Sequence, residues 1–221
     1  MMFVSIIMPV LNEAPALTSF LQHHVIPESC ELIIVDGGSS DGGLGDLPGR
    51  VRVIQSARGR ARQMNAGAEA ACGEVLFFLH VDSVLPHNWL EFLRQFWHSD
   101  KAWGRFDVQL TGSHTWFRVI EFMMNQRSRF SGIATGDQGI FVLRSEFARL
   151  SGYADIPLME DIEISRRLKR VSSPFCVSKQ LTTSSRRWET YGILRTILLM
   201  WRLRLYYFLG VPPEHLARLY K

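Results

Sequence analysis

The sequence predicts an α/β fold: a mostly parallel central sheet flanked by helices, followed by a helical appendage. Three observations carry this reading. Short, continuous apolar runs alternate with helix-like segments through the first half, as strands buried on both faces do. The run ending at Val35 stops abruptly at Asp36, and the loop GGSSDGG follows, as where a strand leaves a sheet. Past residue 185 the chain turns apolar and basic, with Glu189 the only acid between Arg186 and Pro213 against Arg186, Arg187, Arg195, Arg202 and Arg204.

Element by element, residues 3–8 form a first strand, and a helix begins near Pro15, where proline is tolerated in a first turn. Strands follow at 32–35 and 51–54. Residues 58–71, rich in Ala, Arg, Gln and Met, form a helix. Residues 75–79 (VLFFL) form a fourth strand, and 88–97 a helix with Asn88 as its cap. This βαβαβ order implies helices on both faces of a parallel sheet. A strand at 102–110, a helix at 115–130, a short strand at 139–143, an amphipathic helix from Glu160 to about 171 and one or two short strands in 172–185 complete a domain at 1–185. Residues 186–221 form a basic, apolar C-terminal helix and tail.

Composition narrows the function. With 221 residues and 47% hydrophobic content, the chain can bury one substantial core. The apolar N-terminus lacks a basic leader and a cleavage site, so it reads as a strand rather than a signal peptide. Cys30, Cys72 and Cys176 are far apart without CxxC spacing, which suggests neither zinc nor a disulfide framework and fits a reducing cytoplasm. The net charge of +4 and pI of about 9.2 point to anionic partners. No nucleic-acid module is visible, so nucleic acid is not expected.

Several clusters carry candidate chemistry. Asp36 stands at the carboxyl end of a strand, where α/β sheets bind ligands, or closes an Asx-turn. His80 and Asp82, two apart in an extended stretch, point the same way and suit Mg²⁺ or Mn²⁺ completed by substrate phosphates. Glu160 and Asp161 open a helix, where acids are favoured electrostatically, or supply a general base. Arg58, Arg60 and Arg62 at a helix start suit a pyrophosphate or form a solvated face. Arg186, Arg187 and Trp188 form a clamp with an aromatic platform, or anchor the last helix. That helix, interrupted by arginines, lies at a membrane interface or docks on the domain or a second subunit; its longest clean run is far short of the ~18 residues a spanning helix needs.

In this order the features resemble the family 2 inverting glycosyltransferases, which have the GT-A fold. The resemblance covers about residues 5–170. Its parts are SIIMPVLNE (5–13), IIVDGGSSDGG (33–43), MNAGAEAACGEVLFFLHVD (64–82) and the Glu160–Asp161 pair. The Met-Glu-Asp ending and GDQGIFVLR (136–144) look like a small bacterial subgroup of unassigned acceptor. The resemblance implies transfer of a sugar from a nucleotide-diphosphate donor to an acceptor hydroxyl with inversion. Pro9, Val10, Leu11, Glu13 and Asp36 would contact the nucleotide, and Arg60, Arg62, Asn65, His80, Val81 and Asp82 the rest of the donor. Asp82 matches the last Asp of the DxD motif and, with His80, would hold Mn²⁺ or Mg²⁺. Asp161 matches the catalytic base, with Glu160 beside it. Trp103, Arg105, Asp137, Gln138, Arg187 and Trp188 are the expected acceptor residues, for a small-molecule or lipid-linked acceptor. The reading places the chain in the cytoplasm, either free or peripheral on the inner face of the membrane, or as a homodimer through its last helix.

Three departures qualify the resemblance: His80 replaces the first Asp of DxD, Leu11 an aromatic, and Gly37 a second Asp. Only Arg187-Trp188 remains of the Q-x-x-R-W motif of processive members, so polymerisation is not expected. A sugar-1-phosphate nucleotidyltransferase would need a Gly-rich basic loop where this chain has LNEAPAL. An NAD-binding module would need GxGxxG there. A non-catalytic, membrane-associated GT-A-like module would not need the acid pair at 160–161.

Overall fold

The computed structural model describes residues 2–45 and 47–220. Its sheet has seven strands: β1 (Val4–Val10), β2 (Cys30–Asp36), β3 (Val51–Gln55), β4 (Val75–Phe78), β5 (Trp103–Leu110), β6 (Ile140–Leu143) and β7 (Phe175–Thr183). They lie in the order β3-β2-β1-β4-β6-β5-β7, and β6 alone runs against its neighbours. The mostly parallel sheet expected from the sequence is therefore present.

Alternation along each strand feeds two cores. Ile6, Met8, Leu32, Ile34 and Phe77 face one side, against Leu17 and Phe20 of α1 (Ala14–His23) and Leu93 and Phe96 of a helix at Trp89–Trp97. Ile7, Ile33, Val35, Leu76 and Phe78 face the other, against Ala61 and Met64 of α2 (Arg60–Ala70). Helix α2 lies so close that a Cβ at Gly67 would stand 2.4 Å from Ile7 Cγ2. The helix at Trp89–Trp97 is α3, and α4 (Thr115–Ser131), α5 (Arg144–Arg149) and α6 (Glu160–Leu168) follow.

The GGSSDGG loop is tied to the neighbouring strand end. Glu13 gives α1 no side-chain cap, and Asp41 replaces it from across the loop, accepting from the Ala14 N–H at 2.8 Å. Ser40 N–H donates to Asn12 Oδ1, and Asn12 N–H to Ser39 Oγ. The loop thus shapes the carboxyl ends of β1 and β2.

Two expectations are corrected, at Asn88 and in the C-terminal region. Asn88 precedes α3 but adopts a left-handed φ of 58° and makes no side-chain cap bond; backbone bonds close that turn instead. Residues 172–185 hold one strand, as the expected one or two allowed, with an irregular register against β5 between Phe106 and Asp107. Helix α5 was not expected. The C-terminal region is three helices, α7 (Arg186–Tyr191), α8 (Ile193–Phe208) and α9 (Pro213–Tyr220): Gly192 at φ 85° separates the first two, and Gly210 at φ 85° followed by Pro212 and Pro213 separates the last two. These helices fold back on the domain: Leu203 and Leu216 are fully buried with Ile133, Met159 and Ile162.

Candidate active site

A cleft of about 520 Å³ opens at the carboxyl ends of β1 and β4. Its walls come from the β1 end, the start of α2, the residues after β4, the turn before β6, the start of α6, and α7 to α9. Of the residues expected to bind donor, Pro9, Val10, Leu11, Glu13, Arg60, His80, Val81 and Asp82 line it. So do Glu160 and Asp161, and from the expected acceptor set Asp137, Arg187 and Trp188.

Six expected residues lie elsewhere. Asp36 is 2% exposed, and its carboxylate accepts from Ser39 N–H at 2.8 Å, the Asx-turn alternative. Its pKa is lowered: burial opposes the charge, but hydrogen bonds from Ser39, Gln55 and Gly38 outweigh it. Arg62 pairs with exposed Asp155 at 2.8 Å. Asn65 exchanges two hydrogen bonds with the Tyr153 backbone, tying α2 to the loop before α6. Trp103, Arg105 and Gln138 are 0% exposed and offer no surface to an acceptor. Trp103 Nε1 donates to Ser172 O, Arg105 pairs with Asp107, and Gln138 closes a capping box with Thr135.

The acid pair is positioned by backbone. Met159 at φ 71° turns the chain into α6, so that both acids occupy its first turn. Asp161 Oδ2 accepts from Gly136 N–H at 2.9 Å, and Oδ1 from Ile162 N–H. Glu160 is buried and meets Arg60 Nη1 at 3.3 Å. Burial, then Asp161, pushes the Glu160 pKa up, while Arg60 opposes the rise. For Arg60, burial opposes the charge, but Glu160, Asp161 and Asp137 overcome it and raise its pKa.

Around His80, a Cβ on Gly136 would lie 2.6 Å from Nε2, so only glycine permits this packing. Burial and Arg60 push the His80 pKa down to about 4, leaving a neutral imidazole able to act as a ligand. Its Nδ1 lies 3.7 Å from Asp137 Oδ1. The Asp137 carboxyl sits deep in the cleft yet keeps 45% of its side chain accessible, and burial raises its pKa. Among the described residues no three His, Cys, Asp or Glu side chains group as a metal cage. An imidazole and a carboxylate fit a divalent ion only if substrate oxygens complete the shell.

The family model for glycosyl transferase family 2 matches residues 5–150, well over half of the chain. The chain belongs to glycosyl transferase family 2. Among curated proteins, none matches the sequence. Among solved structures, the family 2 chain is similar to the mannosyltransferase PcManGT from Pyrobaculum calidifontis in complex with GDP-Man and Mn²⁺: TM-score 0.61, 17% identity, covering 82% of this chain and 56% of that one. It is also similar to S. aureus TarS in complex with UDP-GlcNAc, with TM-score 0.66, 14% identity, and 83% and 58% coverage. For a second TarS structure these values are 0.65, 16%, 89% and 64%. At such identities the likeness establishes the fold, which is GT-A. The chain spans under two thirds of the length of each.

Gly37 packs closely against helix α2. A Cβ there would stand 3.0 Å from the Gln63 side-chain amide, which donates to Val10 O and Val35 O and locks α2 to the ends of β1 and β2. Sequence reading missed Gln63, Gly136, Arg204 and Tyr220. A polar residue in an otherwise buried helix face was the available signal for Gln63. Nothing local marked Tyr220, which reaches the cleft because α9 folds back, placing its ring 3.7 Å from the Arg187 guanidinium.

Proposed function

We propose that this chain transfers a hexosyl group from a nucleoside-diphosphate sugar to an acceptor hydroxyl with inversion. The observation that carries the reading is Asp161, fixed by Gly136 N–H in a cleft it shares with Asp82, Arg60 and Arg187. Asp161 takes the acceptor hydroxyl proton as the oxygen attacks the anomeric carbon. The bond from that carbon to the diphosphate oxygen breaks on the opposite side, and its electron pair leaves with the diphosphate. Arg60 and Arg187 stabilise the leaving charge. Asp82 and His80 would hold Mn²⁺ or Mg²⁺, whose charge supports the same departure. Glu160 orients Arg60, while Pro9 to Glu13 form the nucleotide wall. The intact acids at 160 and 161 support this over a non-catalytic module, and the LNEAPAL segment after β1 supports it over a nucleotidyltransferase.

A thermal-shift screen of UDP-, GDP- and dTDP-sugars with and without Mn²⁺ tests the proposal. A ligand at 100 times its Kd adds about 2.7 kcal/mol, or about 5–10 °C for a chain of this size. One nucleotide sugar should shift the melting point, more so with Mn²⁺. No shift with any of them overturns the reading.

The outer face of α8 supports a second property, peripheral attachment to an anionic membrane. Leu194, Leu198, Trp201, Leu205 and Phe208 recur at alternating spacings of four and three, and each is more than half exposed. Exposed Arg195 and Arg202 flank this stripe and complement lipid phosphates. Among the described residues no helix is long and apolar enough to cross a membrane. The chain should sediment with vesicles containing phosphatidylglycerol but not with pure phosphatidylcholine, and Leu198→Ser with Leu205→Ser should abolish this. A salt-insensitive dimer with no vesicle binding would assign the stripe to a second copy instead.

A further inference from the structure

A second cavity, of about 580 Å³, lies between α7, α8 and α9. Arg187, Thr196 and Tyr220 border both this space and the cleft, so the two adjoin along these side chains. Helix α8 supplies its longest wall. There Arg195, Leu198, Leu199 and Arg202 recur at i, i+3, i+4 and i+7, which puts them on one face. Tyr191 of α7 and Leu219 of α9 form the other walls.

The groove is cationic and apolar at once. Arg187, Arg195 and Arg202 line it, and no carboxylate does. Arg187 is fixed in place: it stacks on the Tyr220 ring, donates to Tyr220 O at 2.8 Å and lies 5.4 Å from the Tyr191 ring. It therefore forms a rigid rim between groove and cleft. Among the described residues Arg195 and Arg202 enter no ion pair. Arg202 lies over the Tyr206 ring at 5.5 Å, a contact through the face of the guanidinium that leaves its N–H donors available.

The apolar side of the groove opens outward. Leu198 and Leu219 line it yet remain 66% and 40% exposed. Leu198 also belongs to the exposed α8 stripe that rests on the bilayer in the membrane reading above. The groove thus connects that stripe, past two unpaired arginines, to the rim of the cleft that holds Asp161. A free soluble anion would leave the leucines idle, and a neutral lipid would leave the arginines idle. An amphiphile with an anionic head satisfies both.

We propose that the groove holds the acceptor, and that the acceptor is an anionic lipid with a free hydroxyl beyond its charged group. The charge pairs with Arg195 and Arg202, the chains lie along Leu198 and Leu219, and the hydroxyl reaches over Arg187 and Tyr220 into the cleft. There its oxygen displaces the diphosphate from the anomeric carbon, and its proton goes to Asp161. The assignment rests on the transferase reading above and names its acceptor class.

Monomeric dihexanoyl phosphatidylglycerol is the probe, titrated calorimetrically into the full chain, because it carries the charge, the chains and a free hydroxyl. Wild type should bind it about tenfold or more tightly than dihexanoyl phosphatidylcholine, which has no net charge, or glycerol phosphate, which has no chains. Arg195→Gln and Arg202→Gln should each weaken the probe about threefold to tenfold. Both variants should keep the nucleotide-induced thermal shift, which also certifies their fold, since neither side chain lines the cleft. With the nucleotide sugar that shifts the melting point, mass spectrometry should find the probe carrying one added hexosyl group. Equal binding of glycerol phosphate makes the groove a soluble-anion site, and equal binding of phosphatidylcholine makes it a plain apolar patch; either overturns the proposal. Unchanged probe affinity in both arginine variants does the same, as does loss of their nucleotide shift. Probe binding without sugar transfer leaves an anchoring site and overturns the acceptor assignment alone. Failure of every nucleotide sugar to shift wild type overturns the transferase reading itself.

Discussion

Asp161→Asn should lower kcat by about 10²–10⁴-fold, the usual contribution of a positioned general base, equivalent to about 3–5 kcal/mol of barrier. The substitution is nearly isosteric. The new amide would still offer its one oxygen to Gly136 N–H, the bond that now fixes Asp161 Oδ2 at 2.9 Å, and would give up only the bond from Ile162 N–H in the first turn of α6. Losing a charge from the first turn of α6 costs only about 0.3–1 kcal/mol. Melting temperature and nucleotide-sugar affinity should therefore change little while turnover collapses. Glu160→Gln separates the two neighbouring acids. Glu160 is buried against Arg60, so its replacement acts through Arg60 and should weaken donor binding more than it slows chemistry. A Glu160→Gln variant that loses turnover with donor affinity intact, beside an active Asp161→Asn, would reverse the assignment.

Much of the fold was legible in the sequence because its central strands are buried on both faces. Such strands show as continuous β-branched and aromatic runs, and residues 33–35 and 75–79 are of that kind. The break at Gly192 was hidden inside an apolar run, since a single glycine ends a helix only when its φ turns positive. The site divided along the same line. Residues placed by a strand end or a helix start, such as Asp82 and Asp161, reach the cleft. Asp36 also sits at a strand end, but its own turn consumes the carboxylate. Arg204 and Tyr220 could not be read, because helices distant in sequence bring them to the cleft. Side chains on β5 were misread for a simpler reason: polarity in a strand does not say which face, or how deep a layer, a residue occupies.

Trp103→Ala tests that last point, and should destabilise the chain by about 3–5 kcal/mol, as aromatic deletions in cores do. Against a total of about 5–15 kcal/mol this is a large share, with a fall in melting temperature of about 6–20 °C. The side chain is 0% exposed, clusters with Ile140, Val142 and Leu168, and donates from Nε1 to Ser172 O at 3.0 Å. Its removal opens a void beneath β6 and leaves that carbonyl without its donor. Trp103→Phe keeps most of the volume and loses only the hydrogen bond, so it should cost about 1–3 kcal/mol. In both variants the folded fraction should keep its donor affinity and acceptor KM, because Trp103 does not line the cleft. An acceptor residue would give the opposite pattern, a raised acceptor KM at an unchanged melting temperature. That pattern would require the β5 face that now packs against α6 to open toward the cleft during turnover.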